Sequence, residues 1–152
     1  MAIRVYVNTS VYKGAVDLAI NAASQECVTQ DKAGSLQWVV SEIVVDELQE
    51  AAERGRQVYE EHLPWTEFVS VSVGAVRLRD AYLKAGVVTT KWATDALHVA
   101  LPSVHRYRGI VIWNFKHIVR FEKTPLYHGV NLINGVESLS INPPAEVITY
   151  EN

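Results

Sequence analysis

Cysteine is almost absent from this sequence. The 152 residues hold one, Cys27, so no internal disulfide can form. That excludes a small disulfide-stapled scaffold, and Cys27 reads as a small buried or half-buried residue. Long apolar runs are missing as well; none approaches the roughly 20 residues that span a bilayer. There is no Gly-x-Gly-x-x-Gly and no glycine-rich loop ending in Lys-Ser/Thr, so the usual dinucleotide and phosphate cradles are excluded. His62, His98, His105, His117 and His128 show no zinc spacing, and a single cysteine adds nothing to them. Ser10 lacks the strand-turn-helix setting of a nucleophile and reads as a helix cap. An excess of basic charge is lacking too: 14 Lys and Arg stand against 17 Asp and Glu, a net charge of −3. Such a balance does not by itself mark a nucleic-acid binder.

What is present suits a globular domain. Hydrophobic residues make up 49% and charged residues 20% of the chain, enough apolar material for a core. The length predicts a single domain over 1–152. The first residues, Met-Ala-Ile-Arg-Val-Tyr-Val-Asn, have no signal-peptide shape and read as a strand, so a cytoplasmic, membrane-free protein is expected. Charge is unevenly spread. Leu101 to Lys123 carries five Lys/Arg and one acid, whereas Thr124 to Asn152 carries three acids and no Lys/Arg. The basic stretch is either a phosphate-facing surface or an ordinary solvated one.

The order of elements predicts an α/β fold with a mainly parallel sheet. Ile3 to Val7 is a strand of β-branched and aromatic residues. Asn8 ends it, and Thr9-Ser10 offers a cap for a helix whose apolar positions are Val11, Ala15, Leu18, Ala19 and Ala22. Gly34-Ser35 is a turn and Leu36 to Val40 a second strand. Ser41 caps a helix from Glu42 to Ala52, with Ile43, Val44, Leu48 and Ala51 as its buried stripe, Glu47 beside it, and Glu42 and Asp46 toward solvent. A polar helix from Arg54 to His62 stops at Pro64. Trp65 to Val71 is a short strand, and Gly74 to Ala85 a helix stopped by Gly86. Thr94 caps a helix begun by Asp95, and Ile110 to Trp113 is an apolar strand ended by Asn114. Phe115 to Glu122 predicts a short helix. From Tyr127 onward the tail is Gly-, Asn- and Pro-containing, with one last short apolar run at Val147 to Tyr150.

Polar residues recur at matching points of this alternation. Asn8 and Asn114 end strands, Glu47 lies on the helix after the second strand, and Asp95 starts the helix before the Ile110 strand. In a parallel sheet these points converge on the carboxyl edge, where ligands bind. Oxygen donors gathered there suit Mg²⁺ or Mn²⁺. The plainer reading is that acids at helix starts are partners of the helix dipole. His98, three residues after Asp95, reads as a hydrogen-bonded core histidine, with orientation of Asp95 as its alternative role. Trp113 reads as a core or rim aromatic.

Four segments in order carry a resemblance: Val5-Tyr-Val-Asn-Thr-Ser-Val-Tyr, Ser41-Glu-Ile-Val-Val-Asp-Glu-Leu, Asp95-Ala-Leu-His-Val-Ala and Ile112-Trp-Asn-Phe-Lys-His-Ile. Together with the tail Ile141-Asn-Pro-Pro-Ala-Glu-Val, they resemble the PIN-domain ribonucleases, specifically VapC-like toxins of prokaryotic toxin–antitoxin pairs. The resemblance implies a three-layer α/β/α fold and a Mg²⁺- or Mn²⁺-dependent endoribonuclease. It implies Glu47 and Asp95 as charged metal ligands, with Asn8 and Asn114 as neutral ones. Lys116, His117 and Arg120 are the expected phosphate contacts. RNA, an antitoxin protein and a second copy of the chain are the expected partners, and Tyr12, Trp38, Val58 and Tyr59 the exposed-looking apolar residues that would serve them. Asn8 departs from the family, which has an Asp there. The loss of that charge predicts weaker metal binding, and activity weakened or lost. Two alternatives remain open: a non-catalytic PIN-like protein that binds RNA or protein, and an unrelated α/β protein whose acids only cap helices.

Overall fold

A computed structural model of the chain describes residues 3–14, 33–50, 53–111, 123–137 and 140–142. Five parallel strands form one sheet in the order β3-β2-β1-β4-β5: β1 Ile3–Val7, β2 Leu36–Ser41, β3 Thr66–Val69, β4 Gly109–Val111 and β5 Ser140–Asn142. In β1 the last three residues are buried, in β4 all three, and in β2 all but Gln37. Near-continuous apolar runs of this kind belong to parallel strands covered on both faces. The sheet is therefore the middle layer.

Six helices are described: α1 Thr9–Gly14, α2 Glu42–Gln49, α3 Glu53–His62, α4 Val73–Lys84, α5 Ala93–Val104 and α6 Thr124–Ile133. Helices α1, α2 and α3 pack on one another, as do α4, α5 and α6. The chain moves outward from β1 to β3 and then returns past β1 to β4. Right-handed crossovers on the two legs place the two helix groups on opposite faces. The layers are thus α/β/α, as the alternation predicts.

Local signals act where they were expected at three points. Ser41 caps α2, its Oγ accepting the Ile43 N–H at 3.2 Å. Ile43, Val44 and Leu48 are buried there, while Glu42 and Asp46 are exposed. Gly86, at φ 76°, ends α4 in a double turn: its N–H donates to Leu83 and that of Val87 to Tyr82. Closing a helix this way needs positive φ, which glycine adopts without strain.

Other boundaries differ. Helix α5 begins at Ala93, after a 3-10 turn from Thr90 to Trp92, so Thr94 and Asp95 lie inside its first turn and Thr94 is not the cap. Another 3-10 turn takes Leu63 to Trp65, which shortens β3 to Thr66–Val69. The Gly-, Asn- and Pro-containing segment from Tyr127 supplies most of α6 and then β5. Tyr12 and Trp38, expected at the surface, are fully buried, and Val58 and Tyr59 are half-buried against the core. Tyr12 and Trp38 meet edge to face, with ring centroids 5.7 Å apart, so their area serves the interior rather than a partner. Ala51, Cys27, the Phe115 to Glu122 helix and the Val147 run lie outside the described residues. No helix among those described is long and apolar enough to cross a membrane.

Candidate functional site at the carboxyl edge of the sheet

Strand order sets the place. The sheet turns back between β1 and β4, and ligands of open α/β sheets bind beyond the carboxyl ends of the strands at that point. The Asn8 N–H donates to the Val111 carbonyl at 3.0 Å, so Asn8 sits where β1 and β4 end side by side. Its Oδ1 accepts the Ser10 N–H at 2.9 Å and its carbonyl accepts the Val11 N–H at 3.1 Å. Asn8 itself, rather than Thr9 or Ser10, therefore caps α1. An amide oxygen with this reach satisfies a first-turn N–H directly.

Glu47 comes from α2. Its Oε1 accepts a hydrogen bond from Thr9 Oγ1 at 3.0 Å and meets His98 Nε2 at 2.5 Å. The Glu47 side chain keeps 35% of its surface in solvent, whereas His98 has none. His98 Nδ1 lies 2.7 Å from the Tyr6 hydroxyl, and that hydroxyl lies 2.8 Å from Ser41 Oγ. The sequence offers Asp95 as the partner of His98. In the fold both ring nitrogens are engaged, because α5 brings His98 within reach of Tyr6 on β1 and of Glu47 on α2. Burial pushes the Tyr6 phenol well above its ordinary range, opposed by the Ser41 bond and reinforced by the Glu47 charge; a phenol so placed keeps its proton.

Asp95 lies one turn before His98, half-buried in the first turn of α5. Burial raises the Tyr127 phenol too, with Tyr82 and the Asp95 charge adding to the effect. The buried Tyr127 hydroxyl has no hydrogen-bond partner among the described residues. Asn114, Lys116, His117, Arg120 and Trp113 lie outside the described residues. Tyr6, Thr9 and Ser41 were not singled out as site residues. One signal was available: a polar-tipped aromatic inside a buried apolar strand needs a partner for its hydroxyl.

No family model matches the chain, and no curated protein does. Among solved structures, one chain of VapBC2 from Rickettsia felis, bound to a DNA fragment from their promoter, superposes with a TM-score of 0.59. The match covers 93% of this chain and 98% of that chain, at 14% identity. The fold is PIN-like. At this identity the likeness carries the architecture alone.

On that PIN-like frame, Asn8, Glu47 and Asp95 offer oxygen donors alone, which fit a hard divalent cation in kind. Charge is sparse. Among the described residues, no three His, Cys, Asp or Glu side chains group as ligands for a metal ion. The described bonds join Glu47 to Thr9, next to Asn8, and to His98, one turn after Asp95 on α5. A cavity of about 380 Å³ opens at the other edge, where β2 and β3 begin, between Gly34, Leu36, Pro64, Trp65 and Thr66. It includes none of these donors.

Proposed function

We propose that the chain is a cytoplasmic PIN-like nuclease that cuts RNA phosphodiesters with Mg²⁺ or Mn²⁺, its activity held low by Asn8. The supporting observation is the Glu47 carboxylate, bonded to Thr9 and His98 beside the strand ends where Asn8 sits. Glu47 and Asp95 would hold the cation, with Asn8 and Asn114 as neutral oxygen donors. When bound, such a cation supplies charge to a phosphodiester and lowers the pKa of water. Thr9 and His98 keep the Glu47 carboxylate aimed. Lys116, His117 and Arg120 are the proposed phosphate contacts. An antitoxin protein and a second copy of the chain are the proposed partners, the first by analogy with the VapBC2 pair.

Asp95→Asn tests this reading, because it removes one of only two charged donors. The expected result is loss of Mn²⁺-dependent cleavage of a fluorogenic RNA with folding intact and a thermal midpoint equal to or slightly above wild type, since repulsion with Glu47 is relieved. Unchanged cleavage would sink the assignment. A second reading, RNA or protein binding without cleavage, draws on Asn8, whose amide is occupied as a helix cap. RNA retention in a gel-shift assay, with no cutting by the wild type or by Asn8→Asp, is the outcome that favours it.

A further inference from the structure

We propose that His98 is the positioning residue of this site: aligned by Tyr6 and Ser41, it holds the Glu47 carboxylate at the strand ends. The proposal rests on the reading of Glu47 as a working carboxylate.

His98 has no exposed surface, so it acts through its neighbours rather than on a substrate. Its Nε2 faces a carboxylate oxygen at 2.5 Å. A bare nitrogen lone pair there would repel the oxygen, so the proton belongs on Nε2 and His98 donates. That leaves Nδ1 as an acceptor for the Tyr6 hydroxyl. Tyr6, having donated, accepts from Ser41, whose Oγ is already the acceptor for the Ile43 N–H. Every proton in the chain Ser41–Tyr6–His98 then points one way and ends on Glu47. Thr9 adds a second donor to the same oxygen.

The arrangement joins four parts of the fold: β1 through Tyr6, the β2–α2 junction through Ser41, α1 through Thr9 and α5 through His98. Glu47 has three rotatable side-chain bonds and is partly in water; left alone it would sample many rotamers, at a cost of up to about 2 kcal/mol to hold in one. Donors to a charged oxygen are the stronger kind of hydrogen bond and offset that cost. Helix α5 carries Asp95 one turn before His98. A shift of α5 therefore moves one carboxylate directly and the other through the imidazole.

The test uses the full chain and two variants that divide the ring. In His98→Gln the side-chain amide reaches the position of Nε2 and can still donate to Glu47. In His98→Asn it reaches only the position of Nδ1 and can still meet Tyr6. Both lose one of two buried hydrogen bonds, so a purely structural role costs them alike. Calorimetric Mn²⁺ titration should show the Gln variant near wild type and the Asn variant about tenfold to a hundredfold weaker, the usual effect of losing a residue that supports a ligand. Nitrogen-15 NMR of the wild type should show the His98 proton on Nε2. Equal Mn²⁺ affinity in the two variants, or a proton on Nδ1 alone, would overturn the proposal.

Should the wild type take up no Mn²⁺, the metal reading falls by itself. The carboxyl carbon-13 signal of Glu47 then decides the positioning role: displaced only in His98→Asn supports it, unmoved in both overturns it. If the His98 variants do not fold, Tyr6→Phe deletes a single oxygen. It removes the hydroxyl that aligns the ring while Glu47 keeps the proton on Nε2, so the Glu47 carboxyl carbon-13 signal should be displaced; an unmoved signal would count against the alignment.

Discussion

At the scale of single residues, Asn8 carries two roles that pull apart. As a cap it needs only an oxygen within reach of the Ser10 N–H, and an Asp serves as well as an Asn. As a cation donor its missing charge matters, because hard divalent ions bind mainly by electrostatics. Asn8→Asp should therefore keep the fold while raising Mn²⁺ affinity about tenfold, or about 1.4 kcal/mol, and speeding RNA cleavage. Three acids near one another repel, so the metal-free variant should melt lower than wild type. Mn²⁺ should restore the midpoint by binding the folded state. Calorimetric titration, a cleavage assay and melting with and without Mn²⁺ check the three parts. No tighter binding and no faster cutting would remove position 8 from the site.

Among the elements, α6 teaches most. Its ends carry plain signals: Pro125 in the first turn, and Gly135, at φ 71°, closing the last turn with Val136 N–H donating to Asn131. Its middle argues against a helix, since Gly129 costs about 1 kcal/mol there relative to alanine. Burial overrides the propensity. Tyr127 and Val130 pack inward, and Tyr127 meets Tyr82 edge to face at 4.9 Å. Asn131, wholly buried, accepts from the Tyr82 hydroxyl and donates to Ser103 Oγ at 3.2 Å. These bonds tie α6 to α4 and α5, on which Asp95 and His98 ride. Asn131→Ala should lower stability by about 2 kcal/mol, because it removes from the interior both an acceptor of the Tyr82 hydroxyl and the donor to Ser103 Oγ. Urea unfolding measures the loss. A change below about 0.5 kcal/mol, the scale of a surface substitution, would show that Asn131 is not what fastens α6.

For the whole molecule, the interior is rich in phenols, and that sets its response to alkali. Burial raises Tyr6, Tyr82 and Tyr127 from the ordinary value of 10.0. The unfolded chain then releases these protons at lower pH than the folded one. Their contribution is fully present below pH 10.0 and declines as pH rises above it. The urea midpoint should thus fall steeply above that pH, with tyrosinate absorbance of the three appearing only as the chain unfolds. Early, non-cooperative appearance of their tyrosinate signal would contradict the burial. Tyr12 and Trp38 belong to the same interior. The exposed large apolar side chains lie elsewhere, among them Phe68, Val73, Leu132 and Ile133.

Much of this architecture is legible in the sequence. The β-branched runs at Ile3, Leu36 and Gly109, the Ser41 cap and the Gly86 stop are short-range chemistry, decided within a few residues of the chain. So were the alternation that makes the sheet parallel and the placement of Asn8 at a strand end. Asp95 marked a helix start correctly, although not its first residue. The partner of His98 could not be read in this way. Three residues along the helix Asp95 is the near candidate, but the ring bonds Tyr6 and Glu47, 92 and 51 positions away. Likewise Tyr12 and Trp38 turned inward, and the Gly-containing α6 became helical. In each case the deciding energy is burial against residues distant in sequence, which periodicity and local propensity do not contain.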